Sequence, residues 1–383
     1  MADDVYLHIG PPKTGTTYIQ QVLWENKASL AHQQIFLPLG RRRLQYDAVA
    51  DLRGGIWATA ELHASWDELV ETVQARPGTA VVSEELLAAM PDERSFARAV
   101  SSVAPARLHI VCAVRDFGRG VPANYQQAIR ARSSKSYDDY LETLRDPQNE
   151  LWRLQDPARL YQAWEPFLAH PSRFHVVTVP AAGAPQELLW ERFASIIGAD
   201  PGLGVANRPR NESLGVREAE VLRRFNARLG DKFPLPSPYI DNVTRNFIRP
   251  ALRTAPEVVR IGVPEHHVEW LTARSDALVE SVRQLSEKVD FVGDVEDLRA
   301  QITPASLAGK DLTDEEVLNA ALDAVIRQLE FMRDEKEKLR QRARQRAKKA
   351  ARRRRRRQEA RRTYARTPRG RVRGAAKALL GRA

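Results

Sequence analysis

Gly10, Lys13, Gly15, Thr16 and Thr17 fall within the eight-residue stretch GPPKTGTT, a set of residues suited to holding an oxyanion. Glycine lets backbone N–H groups approach a ligand, lysine brings a full positive charge, and threonine adds hydroxyl donors. Val5, Leu7 and Ile9 precede the stretch at strand spacing, and Ile19, Val22 and Leu23 follow it at helical spacing. The loop must therefore open a helix. There the first N–H groups lack intrahelical partners and the macrodipole is positive, which favours phosphate or sulfate.

Two further places offer matching chemistry. Arg115 and Asp116 directly follow the apolar run Leu108 to Val114, and a guanidinium at a strand end can take a phosphate through two N–H groups. Ser83, Glu84 and Glu85 follow the short apolar run Ala80 to Val82. A carboxylate there could accept a proton from a substrate, although strand-end carboxylates also serve as helix caps and ion-pair partners.

Residue order separates this loop from the nucleoside-triphosphate P-loop, which reads G-x-x-x-x-G-K-[ST]. Here the pattern is G-x-x-K-x-G-T-T, with Lys13 ahead of Gly15. It resembles the 5'-phosphosulfate loop of sulfotransferases that use 3'-phosphoadenosine-5'-phosphosulfate (PAPS). The run RDFGRGVPANYQQ and the segment VVSEEL are similar to a bacterial sulfotransferase-like branch, and the resemblance spans about Val5 to Leu229.

The resemblance implies PAPS as co-substrate, no metal, and a sulfuryl acceptor that is a small molecule, glycan or lipid. Gly10, Pro12, Lys13, Thr14, Gly15, Thr16 and Thr17 would hold the 5'-phosphosulfate, and Arg115 the 3'-phosphate. Lys13 would also be catalytic, offsetting charge on the leaving oxygens. The family's serine eight residues after that arginine is Ala123 here. Neighbouring Asn124 is the candidate hydrogen-bond donor, although a helix would turn it elsewhere. Glu84 would be the base, with Glu85 as its substitute. The segment Asn211 to Gly215 resembles an N-x-S-L stretch of the same branch, and Arg208 or Arg210 would close over the 3'-phosphate. Ser213 as a helix N-cap is the plainer reading of that stretch.

Positioning these groups calls for strands alternating with helices. Strands are expected at Thr79 to Ser83, Arg107 to Val114 and Phe174 to Val179, with a short extended piece at Ile35 to Pro38. Helices are expected at Pro91 to Val103, after Phe117 with a kink near Pro122, and at Tyr137 to Leu144. Others are expected at Ala158 to Ala169, Gln186 to Ile197 and Arg217 to Leu229. Arg41 to Trp66 reads as loop-rich, and Asp231 to Pro264 is too proline-punctuated to assign. The expected fold is α/β, a P-loop-like three-layer arrangement around a central parallel sheet, with a long C-terminal helix and a basic tail. Ligands of such sheets collect at the carboxyl ends of strands, where all three motifs lie.

The expected organisation is an α/β domain over 1–310, an amphipathic helix over 311–340 and an arginine-rich tail over 341–383. Of 60 basic and 49 acidic residues, 22 basic but only 2 acidic ones follow residue 335, so the tail carries +20 and the rest −9. The net charge of +11 therefore describes the tail and says nothing of the site. Leu318, Leu322, Val325, Leu329, Met332 and Leu339 form a heptad stripe, so residues 313–339 could pair two copies or lie on the body. The tail suits an anionic membrane surface or another polyanion. A single cysteine, the acidic start and the lack of a long apolar run point to a cytoplasmic protein, peripheral on the inner membrane face where the tail binds. Eight histidines, with His266 and His267 the one adjacent pair, show no metal-binding spacing. A P-loop kinase-like enzyme and a non-catalytic nucleotide-binding adaptor with a nucleic-acid-binding tail are the alternative functions.

Overall fold

The computed structural model describes residues 1–55, 62–90, 92–204, 213–234, 237–255, 258–303 and 312–366. Six parallel strands form one sheet in the order β2-β3-β1-β4-β5-β6. They are β1 (Asp4–His8), β2 (Ile35–Phe36), β3 (Thr79–Ser83), β4 (Arg107–Val114), β5 (Phe174–Thr178) and β6 (Asp290–Val292). β1 pairs with β3 from Asp4↔Thr79 to His8↔Ser83 and with β4 from Asp4↔Arg107 to His8↔Val111. That register sets the ends of β1 and β3 side by side, with β4 running three residues further to Val114.

Alternation along the strands feeds two hydrophobic clusters. Val5, Leu7, Ala80, Val82, Ile110 and Cys112 join one, and Val81, Val111, Ala113 and Val177 join the other. Helices α1 (Thr16–Glu25) and α2 (Lys27–His32) cover the second face together with α10 (Glu187–Ile197). The opposite face carries α3 (Arg42–Arg53), α4 (Trp66–Gln74), α5 (Glu93–Val103), α6 (Phe117–Arg130) and α7 (Tyr137–Thr143), then α8 (Glu150–Gln155) and α9 (Pro157–Trp164). The sheet is thus the middle of three layers.

The chain leaves β1 toward β2 and leaves β4 toward β5, in opposite directions across the sheet. Adjacent strands whose connections diverge in this way leave a crevice at their carboxyl ends. The Lys13 loop and Arg115 border it.

Within the stretch expected to be loop-rich, Arg41 to Trp66, the described residues include a helix. Twelve of these residues make α3, which buries Gln45 and Asp47 as well as Ala48, Val49 and Leu52. Polar residues on the inner face break the apolar period, and they are tolerated because they are bonded. Gln45 donates to the Pro38 and Val81 carbonyls, and Asp47 pairs with Arg43. The helix expected to reach Ala169 ends at Trp164 and passes into a 3₁₀ turn, Glu165–Phe167, that contains Pro166.

After α11 (Val216–Leu229), the unassigned proline-rich stretch holds a single turn, α12 (Ser237–Tyr239), and a π-helical segment, Ile240–Leu252. Helix α13 (Glu265–Ser286) and strand β6 were not foreseen. The final helix, α14 (Asp314–Arg366), runs 53 residues without a break. Alanine, glutamine, lysine and arginine sustain it well past Leu339, and no glycine or proline interrupts it. Its first turns dock through buried Val317, Ala320 and Ala324, and Arg327 donates to the Ala251 carbonyl. Among the described residues no helix is long and apolar enough to cross a membrane.

Candidate functional site

The loop after β1 is braced from within and from three sides. The Thr14 hydroxyl donates to the Pro11 carbonyl at 2.7 Å, and Gln155 of α8 donates to the Pro12 carbonyl at 2.7 Å. Arg115 Nη1 donates to the Lys13 carbonyl at 3.1 Å, and the Thr16 hydroxyl donates to Glu85 at 2.5 Å. Two of the three hydroxyls thus have protein partners, and Thr17 is exposed.

Backbone shape explains the glycines. Gly15 caps α1 in the left-handed region at φ 81° with no side-chain bond to the first turn, which holds no acidic residue. A Cβ on Gly10 would lie 2.2 Å from Thr16 Cγ2, and one on Gly15 would lie 2.4 Å from Leu189 Cδ2. Lys13 itself sits at φ 71°. A non-glycine residue held there costs on the order of 1–3 kcal/mol and persists only where surrounding bonds impose it. Here they do, and α1 begins without a side-chain cap.

Positive charge gathers around the loop. Burial is the main cause that lowers the Lys13 ammonium to about 8, with Arg130, Arg253 and Arg115 adding repulsion against an opposing pull from Glu85. Arg130 is shifted down by burial and then by Arg253. Arg115 is shifted down by burial and then by Arg119, partly offset by Asp116. The Arg115 Nε is buried without a hydrogen-bond partner. Among the described residues no carboxylate lies within ion-pair distance of Lys13, Arg115 or Arg130. A cluster of part-buried cations of this kind gains from a multiply charged anion.

Arg130 and Arg253 were not singled out in the sequence. Arg130 closes the helix that Arg115 introduces, so its position one helix length onward was a usable signal. Arg253 follows the π-helical segment, where no period could point to it.

Glu84 directly follows β3 and caps the 3₁₀ turn Glu85–Ala89. It is 7% exposed, and its Oε1 is buried without a partner. Burial raises its carboxyl to about 8 against a lowering influence from Arg42, with Glu85 and Asp47 pushing the same way as burial. Gln20 ties this corner together, donating to the Ser83 carbonyl at 2.8 Å and accepting from Arg42. Of the two glutamates, Glu85 bonds to the anion loop, while Glu84 faces the α3 side.

Asp116 is fully buried and structural. It caps α6 through the Arg119 N–H at 2.9 Å, pairs with the Arg119 side chain and accepts from Gln301 N. Asn124 donates to the Gly120 carbonyl at 2.9 Å, so its amide is engaged within its own helix. Arg208, Arg210 and Asn211 lie outside the described residues. The cap of α11 is Gly215 rather than Ser213. No family model, curated protein or solved structure matches this chain.

Proposed function

We propose that this protein transfers a sulfuryl group from PAPS to a hydroxyl or amine. The observation that carries the reading is the convergence of Lys13, Arg115, Arg130 and Arg253 on an uncapped helix N-terminus at the sheet's crevice. A nucleotide with phosphate at both ends of its ribose needs two anion sites, and the loop and the arginines supply them. In this reading the P-loop-like character of the fold lies in this strand, loop and helix.

In the reaction the acceptor oxygen or nitrogen attacks sulfur, and the bond from sulfur to the bridging oxygen breaks. Its electron pair stays on the 5'-phosphate, giving 3',5'-ADP. Lys13 and the α1 N–H groups stabilise that growing charge. The acceptor proton passes to the ionised Glu84 carboxylate. A carboxyl near 8 is a strong base that is about one-tenth ionised at pH 7.

Calorimetric titration with 3',5'-ADP tests the reading. Wild type binds it in preference to ATP. Arg130→Ala and Arg253→Ala each weaken binding at least about tenfold, as loss of a charge-assisted bond requires. Lys13→Ala keeps the fold and loses turnover. Equal affinity of wild type and all three variants would sink the proposal.

One contact favours a second reading. A threonine hydroxyl at the start of α1 beside Glu85, two residues past the end of β3, is a pair able to hold magnesium, as in kinase-like P-loop enzymes. Magnesium-dependent ATP binding, with no preference for 3',5'-ADP, would select it.

The exposed stripe on α14 supports pairing with a second copy. Leu318, Leu322, Val325, Leu329, Met332 and Leu339 are 50–60% exposed. An antiparallel pair buries them while keeping the two arginine tails apart and setting Lys336 to Arg342 near the partner's acidic first turn. The tail beyond would attach a cytoplasmic enzyme to an anionic membrane face, close to glycan or lipid acceptors.

A further inference from the structure

Outside the crevice, one group of side chains is arranged for a ligand that nothing above uses. Helix α7 presents Asp138 and Glu142, four residues apart and so on one face, to the first turn of α13, which presents His266 and His267. His266 Nε2 lies 3.5 Å from Asp138 Oδ1, and His267 Nε2 lies 3.7 Å from the same oxygen and 3.9 Å from Glu142 Oε1. Asp138, His266 and His267 each offer an atom within 4.8 Å of the others.

His267 supplies an independent sign. Its side chain is fully buried, yet its Nε2, aimed at these carboxylates, has no hydrogen-bond partner. An orphaned buried nitrogen costs on the order of 1–3 kcal/mol unless something occupies its lone pair. Four ligands at about 2.0–2.1 Å around tetrahedral zinc sit roughly 3.3 Å apart, so the 3.5 and 3.7 Å separations of the imidazoles from Asp138 need only a small contraction.

We infer that Asp138, His266 and His267 form a binding site for a borderline divalent cation of the zinc class, with Glu142 or water completing it. Two imidazoles and a carboxylate select such a metal over magnesium or calcium, which take oxygen ligands. Ligation through Nε2 places the remaining proton on Nδ1, so Arg145, now 3.4 Å from that atom, must release it. Arg145 has Glu142 to hold it, at 3.0 Å. Asp138 also lines a cavity of about 280 Å³ beside Tyr125 and Tyr137, which gives the ion a way in. The bound ion would staple α7 to α13, and α13 packs on α6, the helix that ends in Arg130.

The test is titration of zinc chloride into the chelator-treated full chain, read by calorimetry and by thermal melting. One zinc per chain with micromolar or tighter affinity, together with a raised melting temperature, is expected. His266→Ala and Asp138→Asn, at exposed and half-exposed positions, should each weaken zinc at least about tenfold while keeping the unliganded circular dichroism spectrum. Cobalt(II) should give visible tetrahedral bands in wild type and lose them in both variants. Magnesium should leave the melting temperature unchanged. Absence of stoichiometric zinc, or zinc affinity unaltered in both variants, overturns the inference.

Discussion

At Glu84 the stability of the fold and the proposed role as base oppose each other. The folded protein holds this proton up to about pH 8, whereas an unfolded chain releases it near 4.5. The native state therefore binds more protons between those values, and stability falls as pH rises through that window. At pH 7 the cost of burial is on the order of 3 kcal/mol. Glu84→Gln has no proton to release, so its urea midpoint should overtake that of wild type between pH 5.5 and 8. The same variant should lose at least about a hundredfold in kcat, and wild-type kcat/KM should climb with pH toward a plateau above 8. Parallel stability curves for the two proteins would show that the carboxyl is not held protonated. A residue whose removal stabilises the fold and stops the reaction is one retained for function.

Among the elements, α6 links the crevice to the rest of the molecule. It begins just after Arg115, ends at Arg130 and is clamped at its start by the loop around Gln301. Its two glycines should respond in opposite ways. A Cβ on Gly118 would lie 2.7 Å from the Gln301 backbone, whereas one on Gly120 meets nothing within 4 Å. Gly120→Ala should stabilise by roughly 0.5–1 kcal/mol through reduced unfolded-state freedom, and Gly118→Ala should destabilise by more than that, as read from urea melts.

What could be read from the sequence follows the same division. β1, its loop and Arg115 are legible because their residues are contiguous and the apolar pattern ends where the polar group begins. Helix α3 was not, because Gln45 and Asp47 occupy its inner face and their bonds are long-range. The approach of Asp138 to His266 and His267 joins positions far apart in the chain, and spacing within a sequence carries no trace of it. Arg253 reaches the site from a π-helical segment whose irregular turn defeats a search at the usual helical period.

For the whole molecule, the proposed pairing of copies rests on the exposed stripe of the long final helix. Sedimentation of the full chain should show a dimer, and Leu329→Asp with Val325→Asp should return a monomer whose body melts unchanged, since both side chains face outward. A wild type that stays monomeric at tens of micromolar would remove the pairing. The same helix also fixes where charge sits. At about 1.5 Å per residue, the part from Arg340 to Arg366 projects some 40 Å. That stretch carries +14, from 15 basic residues and one acidic. The net −9 of residues 1–335 lies several screening lengths from the far end of that stretch, since the Debye length in physiological salt is about 8 Å. A polyanion gripped at the far end of this rod would scarcely repel the acidic body. Under the proposed attachment, this spacer would let one chain grip a negatively charged surface while the crevice stands clear of it, and shortening the rod by a few turns would press the two like charges together.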